Sequence, residues 1–371
     1  MEHQIKEFTS PVLDKPLKSY KIVCPLHYFA FGGFKEILLK SGYELTHPQG
    51  IFFHRPGRDL IYAEGEGFHG HFTLNVLTTL DFQELESLFS QAFLEEYKNK
   101  YVLVEGTESV RIRDSLNGPS FDEIKHTLPR IIVDTLENSL WNFEDYCQRF
   151  SANNLSNTLG ILLYGLPGVG KTFVLRSYFN KLILERGFTV VQVYQECLNH
   201  INMSALLSSC KVLFPCILFL EDIDMKFKDR QEGMGTLAGF LMETFEGLSQ
   251  AENVVLVATS NNVEVIEKAL LRPGRIDYVL EVEKPSKAAK ELVLSSYLAG
   301  LDINLPLPLN ETLIKGVDTF AELKGAVQHL LRTYVSTGNF PPVKEIAKMI
   351  RAWKETRLVG VSEPKEREVG F

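Results

Sequence analysis

The chain has 371 residues, of which 45% are hydrophobic and 23% are charged, and its formal net charge is −8. This composition is typical of folded globular proteins and excludes a largely disordered chain. The acidic balance also disfavours a broad nucleic-acid-binding surface, which would normally show an excess of Lys and Arg.

The five cysteines are widely spaced, and no two of them are separated by only two residues. This spacing predicts neither a disulfide framework nor a zinc ribbon, and it favours a reducing compartment such as the cytoplasm. The first residues mix acids and bases without an apolar core, and the longest apolar run, over 212–220, is too short to cross a bilayer. We therefore expect a soluble, cytoplasmic protein without a membrane span.

The first 118 residues mix two kinds of pattern. Strand-like runs are SYKIVC, GIFFHR, HFTLNVLTT and KYVLVEG, and helical spacing appears in FGGFKEILLKSG and DFQELESLFSQAFLEEYKNK. Together they predict a small α+β domain over residues 1–118. Turn residues in DSLNGPS, over 114–120, mark its end.

From residue 119 to 284 the pattern is that of an α/β protein. Helical stretches alternate with the apolar runs LGILLYG, FTVVQV, CILFLED, NVVLVATSN and DYVLEV. Continuous apolar runs are typical of parallel strands that are covered on both faces. We predict a parallel-sheet nucleotide-binding subdomain here, a helical lid over 285–357 and a polar, flexible tail over 358–371.

The segment GLPGVGKT fits the phosphate-binding pattern GxxxxGK[ST], and it lies between a predicted strand and a predicted helix. Glycines let the loop curl so that its N–H groups face a phosphate. The Lys171 ammonium can reach the β- and γ-phosphates, and the Thr172 hydroxyl can hold Mg²⁺. The predicted binding residues are Gly165, Leu166, Pro167, Gly168, Val169, Gly170, Lys171, Thr172 and Phe173.

Two carboxylates, Glu221 and Asp222, follow the apolar run CILFL. A P-loop ATPase needs acids at the end of a second strand, one in the Mg²⁺ shell and one that orients or deprotonates water. A parallel sheet could place this strand end beside the P-loop. A solvated strand end would look the same, so this interpretation depends on the P-loop.

At this point the sequence resembles the classical branch of the AAA ATPases. The segment NVVLVATSNNVEVIEKALLRPGRIDYVLE is similar to the second region of homology of that branch, and the resemblance extends over residues 120–335. It implies that Asn261 is a sensor for the γ-phosphate or the attacking water. It implies further that Arg272 and Arg275 are arginine fingers that reach the ATP of a neighbouring subunit. Fingers that act in this way require a homo-oligomeric ring, a hexamer or another ring.

Three features depart from the family pattern. The acids stand in the order Glu-Asp, which gives Glu221 the Mg²⁺ side and Asp222 the water side, as in the mitochondrial Rieske-protein translocases (the Bcs-type subgroup). The stretch 193–209 lacks an aromatic–aliphatic–glycine pore loop, again as in that subgroup. Finally, Phe320 and Ala321 stand where the family often has Gly-Ala, and we expect Phe320 to pack in the lid rather than stack on adenine.

These features predict an ATP-hydrolysing AAA ring protein that uses ATP and Mg²⁺ and remodels, disassembles or translocates a protein client. In the family, the amino-terminal domain usually selects that client. One alternative is a DNA-directed AAA-like ATPase related to loaders or helicases, which the absence of Lys and Arg from NHINMSALLSS disfavours. Another is a scaffold whose assembly is gated by ATP and whose hydrolysis is slow.

Overall fold

The computed structural model describes residues 6–9, 16–24, 44–45, 52–55, 59–68, 71–105, 110–116, 119–153, 157–194, 203–224, 253–266, 275–299 and 305–359. These residues belong to two compact units. The first unit comprises residues 1–118, 134–164 and 175–280, and the second comprises residues 119–133, 165–174 and 281–371. Across the described residues, no helix combines the length and the apolar character needed to span a bilayer.

The amino-terminal part of the first unit contains an antiparallel sheet in the order β1-β2-β6-β5-β4-β3. Its strands are β1 (Lys6–Thr9), β2 (Pro16–Cys24), β3 (Glu44–Leu45), β4 (Phe52–Arg55), β5 (Asp59–Phe68) and β6 (His71–Thr78). Helix α1 (Phe82–Tyr97) follows, and Asp81 and Glu84 form a capping box at its start. The helix predicted from FGGFKEILLKSG lies outside the described residues.

The second sheet of this unit has seven strands in the order β13-β9-β12-β11-β10-β7-β8. They are β7 (Tyr101–Val104), β8 (Val110–Arg113), β9 (Leu159–Tyr164), β10 (Thr189–Val193), β11 (Cys216–Leu220), β12 (Val254–Ser260) and β13 (Tyr278–Glu281). The pairs from β9 through β12, β11 and β10 to β7 are all parallel. Strands β10, β11 and β12 are buried along their whole length, so the predicted α/β sheet covered on both faces is confirmed.

Strand β7 belongs to the seven-stranded sheet, not to the antiparallel one. The sequence assigned KYVLVEG to the amino-terminal α+β domain, but in the structure Val102 pairs with Val191 of β10 in the seven-stranded sheet. All four residues of β7 are buried, because the strand is a continuous apolar run like its parallel neighbours. Strands β7 and β8 thus extend the seven-stranded sheet from within residues 1–118. The predicted boundaries near 118, 284 and 357 remain predictions.

The described parts of 119–224 contain the helices α2 (Phe121–Ile124), α3 (Arg130–Thr135), α4 (Phe143–Ala152), α5 (Lys171–Arg186) and α6 (Met203–Val212). Shorter helical turns are the 3₁₀ turns Lys125–Thr127 and Val263–Val265 and the π turn Leu136–Leu140. Helix α5 packs on the seven-stranded sheet, where the rings of Phe179 and Phe219 meet edge to face with centroids 5.2 Å apart.

The second unit has its own apolar core, to which the described helices α7 (Lys287–Ala299), α8 (Leu307–Gly316), α9 (Phe320–Thr337) and α10 (Val343–Val359) contribute. They lie in the segment that the sequence predicted to be a helical lid. Helix α8 carries Pro in its first turn, where a missing N–H costs little. Helix α9 begins with a buried capping box of Thr319 and Glu322 and ends at Gly338, whose φ is +72°. Of the predicted tail, residues 360–371 lie outside the described residues.

Candidate functional site

The P-loop follows β9 directly, and its glycines are required by both backbone and neighbours. Gly168 and Gly170 have φ angles of +81° and +105°, which side chains disfavour. A Cβ on Gly168 would lie 2.7 Å from Cβ of Ala321, and one on Gly170 would lie 2.9 Å from the ring of Phe320. The sequence explained these glycines only by the curl of the loop, whereas the structure adds the close packing of helix α9.

Lys171 is the first residue of α5, and its side chain turns back under the loop. The residue is 5% exposed, and its Nζ donates to the carbonyl oxygens of Gly165 at 2.8 Å and Leu166 at 3.1 Å. The first N–H groups of a helix and a nearby ammonium together favour an anion. This arrangement is compatible with the phosphates of a nucleotide, and the role of Lys171 stays a prediction.

The start of α9 closes on the loop within the second unit. The N–H groups of Phe320 and Ala321 donate to the carbonyl oxygen of Gly168 at 2.9 and 3.3 Å. The ring of Phe320 also meets that of Phe173, with centroids 6.2 Å apart. Phe320 therefore packs against the P-loop and the lid core, as expected from the sequence.

The remaining predicted loop residues differ in exposure. Leu166 and Pro167 are exposed, Val169 is buried, and Thr172 and Phe173 are partly buried. The loop thus has an exposed tip and a buried base, and the base carries Lys171.

The two predicted acids are held in place by neighbours that the sequence did not identify. One oxygen of Glu221 accepts hydrogen bonds from the side-chain amide of Gln192 and from Nη2 of Arg176, the latter at 3.5 Å. Asp222 has a φ of +47°, uncommon for a residue with a side chain, and its N–H donates to Oγ1 of Thr259 at 2.9 Å. This bond joins the backbone of Asp222 to β12.

A third acid, Asp224, anchors the predicted sensor Asn261. Asp224 is 1% exposed, and its Oδ1 accepts from the N–H of Asn261 at 2.7 Å and from Oγ of Ser260 at 3.2 Å. The sequence analysis missed this role. The signal in the sequence was a further acid two positions after Asp222. A carboxylate that is buried there needs hydrogen-bond donors, and the N–H of Asn261 is one of them.

The sheet brings Glu221, Asp222 and Asn261 to one edge. Strands β9, β12 and β11 are parallel neighbours, with Leu220 opposite Ala258 and Ser260 opposite Tyr164. The acids follow β11, Asn261 follows β12, and the P-loop follows β9. The carboxyl ends of these strands meet at the same edge, which is where open α/β sheets bind ligands.

Arg275 does not join this edge. The carbonyl oxygen of Arg275 packs on Gly160, where an added Cβ would lie 1.8 Å from it, and the N–H of Asp277 donates to the Gly160 carbonyl at 2.8 Å. Gly160 stands at the amino end of β9, four residues or about 13 Å of strand from Tyr164. The Arg275 backbone therefore lies at the opposite edge of the sheet from the acids of its own chain. Arg272 lies outside the described residues.

Comparison with known proteins supports the interpretation of residues 161–284 as an ATPase domain. Residues 161–284 match the model of the ATPase family associated with various cellular activities (AAA). The match covers an AAA ATPase domain with a P-loop NTPase fold, so the predicted fold class is confirmed. Every predicted site residue lies within the matched segment, and the predicted cofactors, ATP and Mg²⁺, agree with this family.

The chain is also similar to several proteasome-associated ATPases. It is 28% identical over 218 residues to that of Acidothermus cellulolyticus, covering 52% of this chain and 37% of the relative. The corresponding values are 27% over 212 residues for Parafrankia sp. (50% and 35%) and 29% over 206 residues for Actinosynnema mirum (48% and 34%). The chain thus spans little more than a third of the length of these curated relatives.

Proposed function

We propose that this protein is an ATP-hydrolysing AAA ring protein that remodels, disassembles or translocates a protein client. The observation that carries the proposal is the buried Lys171 ammonium at the start of a 16-residue helix, under a loop of left-handed glycines. Helix α5 and this loop lie in the segment that matches the AAA family. ATP is the substrate, and Mg²⁺ is the cofactor.

The residues of one chain would divide the work as follows. Lys171 and the first N–H groups of α5 bind the β- and γ-phosphates. Thr172 and Glu221 would hold Mg²⁺, which when bound neutralises charge on the phosphate oxygens. Asp222 orients or deprotonates the attacking water, and Asn261, fixed through Asp224, bonds the γ-phosphate or that water.

A neighbouring subunit would complete the site with Arg275, and with Arg272. A guanidinium stabilises charge on the γ-phosphoryl group and is typically worth about 10³–10⁵ in rate. The position of the Arg275 backbone, at the amino end of β9, supports action on a second copy rather than on its own acids. Catalysis therefore requires a homo-oligomeric ring, a hexamer or another ring.

The choice of a protein client is supported by the similarity to proteasome-associated ATPases and by the acidic balance of the chain. Residues 1–118 would select that client, and nucleic acid is an unfavoured partner. The order Glu221-Asp222 and the absence of an aromatic–aliphatic–glycine tripeptide from 193–209 support a place near the Bcs-type translocase subgroup. The wide spacing of the cysteines supports a cytoplasmic location.

The test combines phosphate release with native mass spectrometry on the full chain. Wild-type protein should hydrolyse ATP only with Mg²⁺ and should assemble when ATP is added. Asp222→Asn should lower turnover by about 10²–10⁴-fold, the usual contribution of a general base, and should keep the ring assembled. A protein that stays monomeric and releases no phosphate would contradict the proposal.

Two further arms separate the alternatives. Unfolded casein should stimulate turnover of a protein-remodelling ATPase, whereas single- or double-stranded DNA at low salt should stimulate a loader or helicase relative. Turnover of an ATP-gated scaffold would respond to neither casein nor DNA. For such a scaffold, Asp222→Asn would still assemble, and its ring would persist longer than that of the wild type.

A further inference from the structure

We infer that Gln192, Arg176 and Tyr101 are positioning residues that hold the carboxylate of Glu221 in place for Mg²⁺. The inference rests on the proposed function, because the metal role of Glu221 is part of that proposal. It goes beyond it by assigning a task to three residues that lie outside the P-loop and the acid pair.

The strand register places three of these side chains on one face of the seven-stranded sheet. Gln192 of β10 is opposite Phe219 of β11, and Glu221 stands two residues after Phe219. On the other side, Gln192 is opposite Leu103 of β7, two residues after Tyr101. Residues two apart in a strand point to the same face, so Tyr101, Gln192 and Glu221 form a row across three strands.

Helix α5 covers this same face and supplies the fourth member. Phe179 of α5 packs edge to face on Phe219. Arg176 lies three residues earlier, on the same side of the helix. Its Nη2 is 3.3 Å from Oε1 of Gln192 and 3.5 Å from Oε2 of Glu221. The guanidinium therefore bridges the amide and the carboxylate.

The donors in this row fix the orientation of the Gln192 amide. Both the Tyr101 hydroxyl and the Arg176 guanidinium donate to its oxygen, so its nitrogen faces Glu221. A carboxylate needs a donor, and this amide provides one. Burial raises the pKa of the Tyr101 hydroxyl above its usual value, so the hydroxyl remains protonated and able to donate at neutral pH.

Burial holds Tyr101 and Gln192 in place, whereas the Arg176 side chain is 40% exposed. Tyr101 is 2% exposed and Gln192 is fully buried, so neither amide nor hydroxyl has water as an alternative partner. Glu has one more rotatable bond than Asp, the residue that would stand on the Mg²⁺ side if the acid pair had the opposite order. Two donors on the same oxygen, Oε2, restrict that extra freedom. The four residues thus explain how a Glu can serve in the position of a shorter acid.

The test measures how Mg²⁺ changes nucleotide binding, a readout that does not depend on turnover. Fluorescent mant-ATP is titrated into the full chain at increasing Mg²⁺ concentrations. Gln192→Met keeps a similar volume and removes both polar atoms of the side-chain amide. It should raise the Mg²⁺ concentration for half-maximal enhancement of binding by about tenfold, within the range typical of lost support for a metal ligand. Binding without Mg²⁺ should be unchanged.

Tyr101→Phe is the mildest variant, because it removes one hydroxyl and keeps the ring. It should raise the same Mg²⁺ concentration by a smaller factor, about two- to fivefold. Arg186→Met provides the matched control on α5, since Arg186 contacts Glu144 and Trp141 instead. This control should leave the Mg²⁺ dependence at the wild-type value.

Exchange of the acid gives the decisive comparison. In a Glu221→Asp background the carboxylate no longer extends to the amide, so Gln192→Met should have little further effect, a non-additivity expected of residues in contact. If Glu221→Gln leaves the Mg²⁺ dependence unchanged, the metal role in the proposed function is wrong. This inference is overturned if Glu221→Gln raises the Mg²⁺ requirement but Tyr101→Phe and Gln192→Met both match the wild type. Where Gln192→Met does not fold, a wild-type result for Tyr101→Phe alone overturns it.

Discussion

The buried carboxylate of Asp224 accepts a hydrogen bond from the backbone N–H of Asn261 at 2.7 Å. This bond joins the end of β11 to the end of β12. It means that the predicted sensor is held by a residue from the same strand end that supplies Glu221 and Asp222. The acids proposed to act in hydrolysis and the residue proposed as sensor therefore lie at one hydrogen-bonded edge of the sheet.

Replacement of Asp224 should damage both stability and turnover. Asp224→Ala removes a buried acceptor from the Asn261 N–H, which should lower the free energy of unfolding by about 1–3 kcal/mol. Displacement of Asn261 by about 1 Å can lower turnover roughly a hundredfold. Urea denaturation and phosphate release measure the two effects. Asp224→Asn keeps an acceptor and should be milder, and Glu264→Ala, at an exposed acid nearby, should match the wild type. Equal effects of Asp224→Ala and Glu264→Ala would contradict the role.

Alanine substitutions at two glycines with similar φ angles distinguish the effect of backbone strain from the effect of close packing. Gly168→Ala should lose nucleotide binding, because the new methyl group would meet Ala321 at 2.7 Å in addition to a φ of +81°. Gly338→Ala has a φ of +72° but nothing within 4 Å, so it should cost only about 1–2 kcal/mol of stability and leave binding intact. Calorimetric titration with ATP and thermal unfolding distinguish them. Normal ATP binding by Gly168→Ala would refute the described packing of the loop.

The capping box at Thr319 should affect the nucleotide site, whereas a similar one at Ser120 should not. Oγ1 of Thr319 accepts a hydrogen bond from the N–H of Glu322. Thr319 stands directly before Phe320 and Ala321, whose N–H groups donate to the Gly168 carbonyl. Thr319→Ala should cost about 0.5–2 kcal/mol and weaken ATP binding. Ser120→Ala removes an exposed cap of the short helix α2 and serves as the control. Identical ATP affinities for the two variants would count against a role of α9 in holding the loop.

The thiol of Cys147 should be almost inert in the folded protein. Burial, with a smaller contribution from Glu144, raises its pKa from 9.0 to about 12. The thiol therefore stays protonated at pH 8, with roughly a thousandfold less thiolate than in the unfolded chain. This group contributes stability that is complete below pH 9 and is lost as the pH rises towards 12. Mass spectrometry of iodoacetamide labelling, with and without urea, checks this, and equal labelling rates would contradict it.

The sheet and the P-loop could be predicted because each has a strong local signal. Strands β10, β11 and β12 are continuous apolar runs, and GLPGVGKT stands between a strand and a helix. The same apolar signal was present in KYVLVEG. It was grouped with the amino-terminal strands because many residues separate it from β10, its parallel partner, and sequence alone does not give strand pairing.

The supporting residues had no such signal. Gln192 resembles any polar residue in a strand, and Arg176 resembles any cation on a helix. Only the register of three strands and the packing of α5 bring them to Glu221. The distance of Arg275 from the acids of its own chain likewise follows from the sheet order, although the resemblance had already implied that this residue acts on a neighbour.

The central claim is that a second copy of the chain completes the ATP site, and mixing two inactive variants tests it most directly. Lys171→Ala should lose ATP binding but keep Arg275, and Arg275→Ala should bind ATP but lack the finger. Each variant alone should be nearly inactive, and their mixture should regain ATP hydrolysis, because Arg275→Ala subunits then have neighbours with an intact arginine. Co-assembly of the two variants without any recovered phosphate release would contradict the account.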